Sequence, residues 1–207
     1  ADGVPLHSIA RLLQSTGQQT LRRALAEHGV TYGFVLTSEI LANVSGGLRR
    51  GSVFEGKLEG YVAIDLEKAV GLDGFRIYAN AFQIHGTGGI SRDLVGNFNT
   101  ISNIEALPTT RLSEAWIEKS FLGDVVNLRI GQLAADVEFF VSDYSTFFMN
   151  SDWPAITKQN LPSGGPAYPL STPGIRLKIQ PHDQIAVLVA LYNGDPAGPG
   201  AGDPEER

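Results

Sequence analysis

Residues 55–68, EGKLEGYVAIDLEK, place charges at Glu55, Lys57, Glu59, Asp65 and Glu67. The positions between them carry none: Gly56, Leu58, Gly60, Val62, Ile64 and Leu66. A period of two is the signature of a strand with one wet face and one apolar face. Such a strand constrains the chain more than any other feature, because its apolar face must be covered by a protein core or by lipid.

The same period recurs along the chain. VTYGFVLTSEILANV sets Tyr32, Phe34, Leu36, Ile40 and Val44 against Thr31, Gly33, Thr37, Glu39 and Asn43. FRIYANAFQI sets Phe75, Ile77, Ala79 and Ala81 against Arg76, Tyr78 and Asn80. RLSEAWIEKSF groups Glu114, Trp116, Glu118 and Ser120; VVNLRIGQL sets Asn127 and Arg129 against Val126, Leu128 and Ile130. GIRLKIQ sets Arg176 and Lys178 against Ile175, Leu177 and Ile179, and QIAVLVALYN closes the series. These runs predict about seven strands, several of nine or more residues. Soluble strands average five or six residues, and spanning strands need about 9–11.

Ahead of the strands, Leu6, Ile9, Leu12 and Leu13 follow helical spacing; Thr20 is a candidate cap for a short helix LRRALAEH, with Gly29 as its stop. By pattern alone this is a surface helix packed on its own domain, with a membrane-surface helix as the alternative. The expected organisation is a helical segment over 1–29, strands and loops over 30–196 and a loop tail over 197–207. Residues 86–108 and 135–172 are long irregular segments, whereas EKAVGLDGF and SFLGDVV are tight connections. Short turns alternating with long loops are a feature of outer-membrane barrels.

Composition excludes several classes. Of 207 residues, 43% are hydrophobic and 18% charged. No run approaches the ~18 apolar residues of a spanning helix, which leaves a β-barrel open. The net charge is −6 with scattered Arg and Lys, so a nucleic-acid surface is not expected. With no cysteine there is no disulfide, thiolate or zinc-thiolate chemistry. His7, His28, His85 and His182 lack ligand spacing, and no metal or cofactor is expected. The start shows no signal-peptide pattern, consistent with a cytosolic chain or a processed one. Glu114 and Glu118 on an extended strand stand about 13–14 Å apart, beyond the ~5–9.5 Å of a glycosidase pair. HGTGGIS lacks a full dinucleotide fingerprint, and no G-x-S-x-G or P-loop occurs. An enzyme is therefore not expected.

LRIGQLAADVEFFVSDYSTFFMN followed by LPSGGPAYPLSTPGIRLKI closely resembles the carbohydrate-selective porins of Gram-negative bacteria, the OprB type. SNIEAL, RLSEAWIEKSF and NVSGGLRRGSVFEGKLEGYVAIDLEK resemble the same family, so the likeness runs from about Tyr32 to Pro196. The resemblance implies an all-β, antiparallel transmembrane barrel of roughly 16 strands enclosing an aqueous channel. It implies passive diffusion of small sugars such as glucose across the bacterial outer membrane, with lipid outside and no cofactor. Leu58, Val62, Ile64 and Leu66 would then face acyl chains, and Lys57, Glu59, Asp65 and Glu67 the pore.

Seven strands are about half of such a barrel, and the chain stops in a loop without a terminal aromatic strand. The expectation is the N-terminal half of a porin, as a truncated gene product, a processed fragment or a chain that assembles with a second half or with other copies, because open edges in lipid go unsatisfied. A sugar channel needs hydroxyl partners along its wall and weak binding. Glu114, Glu118, Arg129, Arg176 and Lys178 lie on the expected lumen face, with Trp116 as a stacking surface or an interface marker. If 135–172 folds inward, Asp136, Glu138 and Tyr168 are candidates for the constriction. Against this stands the reading that such charges only pair across strands and stiffen the wall. Phe139, Phe140, Phe147 and Phe148 read as loop packing. The alternative function is a soluble periplasmic β-sandwich that binds carbohydrate.

Overall fold

The computed structural model describes residues 16–97, 99–139, 141–150 and 165–196. The expected Leu6–Leu13 helix and the 197–207 tail lie outside the described residues. A helix, α1 (Thr16–Glu27), leads into the strands. Thr20 lies inside α1 rather than at its start, and the helix stops at Gly29, whose φ of +80° a side chain would strain. His28 Nδ1 meets Ala24 O at 2.8 Å at that end.

Among the described residues seven strands follow: β1 (Val30–Asn43), β2 (Gly51–Asp65), β3 (Phe75–Gly86), β4 (Thr109–Phe121), β5 (Val126–Leu133), β6 (Thr172–His182) and β7 (Ile185–Tyr192). They form one antiparallel meander in the order β1 to β7. One correction concerns the end of β2. The alternation runs on to Glu67, but the strand stops at Asp65, whose Oδ1 accepts from Glu67 N and Lys68 N and caps a short helix, α2 (Leu66–Val70). Leu66 and Glu67 thus belong to a helical turn and not to the wall.

The connections sort by end. Residues 66–74, 122–125 and 183–184 join strands at one end, beside α1; residues 44–50, 87–108 and 134–171 join them at the other. The asymmetry is that of outer-membrane barrels.

The register fixes which side chains share a face. Leu36 pairs with Leu58, Ile77 with Ile117, Ile130 with Ile175 and Leu177 with Val189. These residues and their row neighbours make one apolar face, and it is bare: Phe34 is 75% exposed, Ile40 79% and Leu191 72%. A sandwich would lay a second sheet over that face. Among the described residues there is one sheet, and no second sheet of the β-sandwich alternative lies over this face. At the short-turn end the apolar face is rimmed by rings and cations. Arg22 lies 5.6 Å from the Tyr32 ring centroid, and Lys119 lies 4.7 and 5.7 Å from those of Phe75 and Phe121. Aromatic and basic residues gather in this way where a wall meets the membrane–water interface.

The packed interior sits on the opposite face. Residues 90–95 form a π-helix that folds over β1 and β2, burying Ile90 and Leu94 against Val53, with Leu41 and Ile101 alongside. Glu55 Oε1 receives Ile90 N at 2.8 Å, and Glu39 receives the Ser102 hydroxyl. Asn43 Nδ2 reaches Gly46 O, Arg49 O and Leu94 O, tying the β1–β2 turn to the same segment.

β4 carries one irregularity. Its pairing with β3 jumps from Ala79–Ala115 to Ala81–Leu112, so Ser113 and Glu114 together oppose Asn80. The extra residue inverts the alternation: Leu112, two positions from Glu114, points outward and is 51% exposed. Neighbouring amides satisfy the disrupted backbone. Asn80 Oδ1 accepts from Glu114 N at 2.7 Å, and Gln132 Nε2 donates to Leu112 O and Ser113 O at 2.9 and 2.7 Å.

Candidate functional site: the inner wall and its loops

The inner face is organised in three adjoining groups. The first is a run of stacked rings. Gly33 on β1 has no side chain, and a Cβ there would fall 2.7 Å from the Tyr61 ring. Tyr61 therefore lies close on the β1 backbone and stacks with Tyr78 (6.4 Å between centroids, 24° between planes). Tyr78 stacks in turn with Trp116 (5.2 Å, 26°), and the Arg129 guanidinium lies 3.7 Å from the Trp116 centroid. Both faces of Trp116 are thus covered by protein groups. Its Nε1 is buried without a hydrogen-bond partner among the described residues.

The second group is ionic. Glu118, Arg129 and Arg176 are register neighbours on β4, β5 and β6. Glu118 Oε2 accepts from Arg129 Nε at 3.0 Å and Arg176 Nη2 at 2.9 Å. Glu138, from the β5–β6 connection, receives both Nε and Nη2 of Arg176 at 2.7 Å and Arg129 Nη1 at 3.3 Å. The two-bond fork is the strong form of an arginine–carboxylate contact. Lys178 lies one step toward the short-turn end on the same face, beside Asn127, and is half-buried outside this cluster.

The third group surrounds a cavity of about 420 Å³ between the wall and the inward-folded connections. Lys57, Glu59, Asn80 and Phe82 line it from β2 and β3, Glu114 from the β4 bulge, and Asn103, Asp136 and Tyr168 from the connections. Lys57 Nζ pairs with Glu59 at 3.2 Å and lies 4.7 and 5.3 Å from the Phe82 and Tyr168 ring centroids. Asn80 Nδ2 donates to Glu59 Oε1 at 2.8 Å. Asp136 Oδ2 holds Tyr168 N at 2.8 Å, and the Tyr168 hydroxyl donates to Ile104 O at 3.0 Å, joining the two long connections. Asn103 N also donates to Met149 O at 2.9 Å. Glu114 is 7% exposed, and its Oε1 has no hydrogen-bond partner among the described residues.

All nine residues singled out from the sequence lie on the inner face or on segments folded over it. Eight fall into the three groups, and Lys178 stands apart. Lys57, Glu59, Tyr78 and Asn80 were visible in the alternation, but only the register shows that they meet Glu114 and Tyr168. Phe147 and Phe148 are 84% and 67% exposed, so they do not pack the loop as expected. Phe139 does pack, edge-on to Tyr192 at 6.2 Å. Phe140 lies outside the described residues.

A bare apolar exterior, a polar interior, short turns at one end and inward-folded loops at the other define part of the wall of a transmembrane-type antiparallel β-barrel. The family model for "Carbohydrate-selective porin, OprB family" matches residues 50–204, and the chain belongs to that family. It is similar in fold to a high-pH structure of Pseudomonas putida OprB, with a TM-score of 0.76 at 17% identity, covering 87% of this chain and 44% of that one. A low-pH structure of the same protein gives a TM-score of 0.54 at 13% identity, covering 86% and 50%. The chain thus spans half or less of the length of those two chains. No match arises among curated proteins.

Proposed function

We propose that this chain forms an arc of an outer-membrane channel for passive diffusion of small carbohydrates such as glucose, without catalysis and without cofactor or metal. The observation that carries the reading is the reversed distribution of the wall: apolar side chains outside, a polar and aromatic inner face roofed by its own loops. Lipid meets the outer face. The edges of β1 and β7 are completed by further strands, from a second half of the barrel or from other copies, since an open edge in lipid leaves backbone groups unsatisfied.

A passing sugar exchanges its water for wall groups. Its hydroxyls donate to Glu59, Glu114 and Asp136 and accept from Lys57 and Asn80. Arg129, Arg176, Glu118 and Glu138 already pair among themselves and shape the bore, while Lys178 offers an ammonium further along. The Trp116 edge and the Tyr168 ring add apolar surface. A cavity of about 420 Å³ lies at the small end of the ~300–1,000 Å³ typical of small-molecule sites, so the fit is to a single sugar ring or a short oligomer. Binding stays weak because Lys57, Glu59, Asn80 and Asp136 already have protein partners to which they return.

The test is swelling of liposomes carrying the assembled barrel. Fast swelling in glucose, with slow swelling in a larger oligosaccharide, is the expected outcome. A folded, monodisperse chain that needs no detergent or lipid overturns the reading.

A further inference from the structure

Arg129 and Arg176 face each other directly across β5 and β6. Like charges in that position repel. The sheet supplies one carboxylate between them, Glu118 from β4. The second comes from outside the sheet: Glu138, five residues beyond the end of β5, on the connection that folds inward. The wall alone therefore carries one uncompensated positive charge at this height, and with the connection in place the Arg176 side chain is 2% exposed and that of Glu118 7%. A charge so enclosed must find a partner. The partner it finds fixes where the connection lies.

We propose that Glu138 is a latch: its ion pairs with Arg176 and Arg129 hold the first arm of the β5–β6 connection against the wall, and thereby set the bore and the size limit of the channel. Glu138 acts here as a positioning residue, through the arm it anchors. Three adjacent features fit that role. Asp136, two residues back, binds the backbone of Tyr168 on the returning arm. Tyr168 carries the linkage on to Ile104 of the β3–β4 connection. Phe139, next to the latch, sits edge-on to Tyr192 of β7. Glu138 is thus the charged anchor of a strap that passes from β6 to the other inward connection. Without it, the arm keeps its hydrogen bonds to other loops but loses its charged tether to the wall.

The size-limit half of the proposal rests on the channel reading; the latch itself does not. The chain has no cysteine, so two can be introduced cleanly for spin labels. One replaces Phe147 on the arm, 84% exposed, and one replaces Asp183 in the β6–β7 turn. The distance distribution between them is then read by pulsed electron resonance in the assembled barrel in lipid. Glu138→Gln keeps the shape and removes the charge; it is expected to broaden and shift the distribution and to raise the disaccharide-to-glucose swelling ratio severalfold. Glu118→Gln removes a carboxylate from the same two arginines but leaves the arm tethered; it is expected to leave the distance distribution near that of the unsubstituted protein. Equal effects of the two substitutions would mean that wall charge, not a latch, is responsible. An unchanged distribution in Glu138→Gln overturns the latch even if no sugar passes. Absence of swelling in the unsubstituted protein, with the distance effect intact, overturns the channel reading alone.

Discussion

The two faces of the sheet follow opposite rules. Outside, Phe34 is 75% exposed and touches little beyond its own row; inside, Arg176 is 2% exposed and engages Glu118, Glu138 and the backbone of β5. In water a globular chain arranges these residues the other way round. The outer face is specified by character alone, since any apolar side chain satisfies lipid. The inner face is specified by identity, since each polar group needs a partner at a particular place. The difference teaches that substitutions should be judged by polarity outside and by geometry inside.

The sharpest way to break the comparison is to put a charge on the outer face. Leu36→Lys lies mid-strand in the bare row, where a lysine costs about 2–4 kcal/mol at the bilayer midplane. Lys178→Gln, on the inner face outside the ionic cluster, should change stability by less than ~0.5 kcal/mol. Urea-dependent folding of the assembled barrel into vesicles measures both. Equal, small effects would mean that the apolar row does not meet lipid. Gln132→Leu tests the exception to the rule. Gln132 stands in the outward row of β5, yet its amide serves the two carbonyls freed by the β4 bulge and the Ser171 hydroxyl. By polarity the leucine should improve the outer face. By geometry it strands two acceptors, at about 1–3 kcal/mol, and the same folding assay decides between them.

The faces themselves were legible in the sequence, because a period of two needs no tertiary knowledge. Arg129, Arg176, Glu118 and Trp116 could be placed inside on that basis, and the resemblance supplied the barrel. The bulge was not legible: Ser113 and Glu114 carry no glycine or proline to mark it, and simple alternation assigns Leu112 to the inner face. Nor was the end of β2, where Leu66 and Glu67 continue the alternation by coincidence while the Asp65 side chain turns the backbone into a helix. The union of Glu138 with Arg176, 38 residues apart, lies beyond any local pattern. Local periodicity reports the face on which a residue stands; partners come from the fold of the connections.

Gly33→Ala sharpens the inner rule at lower energy. The added methyl would meet the Tyr61 ring at 2.7 Å, and the ring must slide, disturbing its stack with Tyr78 and Trp116. A side chain yields more readily than backbone, so the cost should sit near the low end of overpacking, about 1 kcal/mol. Near-ultraviolet circular dichroism reads the stack directly, and the aromatic signal should fall while the far-ultraviolet β spectrum stays. Retention of the aromatic signal would show that the rings are not locked against β1.

The smallest effect lies where neither face rules, in the β3–β4 connection. The Asp93 carboxylate is held down to about 2, first by the Arg92 side chain bonded to it and then by Gly89 N–H. Its acidity is thus greater folded than unfolded. The stability it lends is fully present above the unfolded value near 3.8 and is lost as the pH falls from there through about 2. The pair with Arg92 is half open to water, so screening keeps the contribution below about 1 kcal/mol. Hydrogen exchange at Gly96 N–H, which donates to Ser91 O across the π-helix, is the local readout. Its protection should fall between about pH 4 and 2 in the unsubstituted protein, once intrinsic exchange is normalised, and should be already reduced and flat over that range in Asp93→Asn. A fall that persists in the variant would mean that Asp93 is not the source of the acid sensitivity.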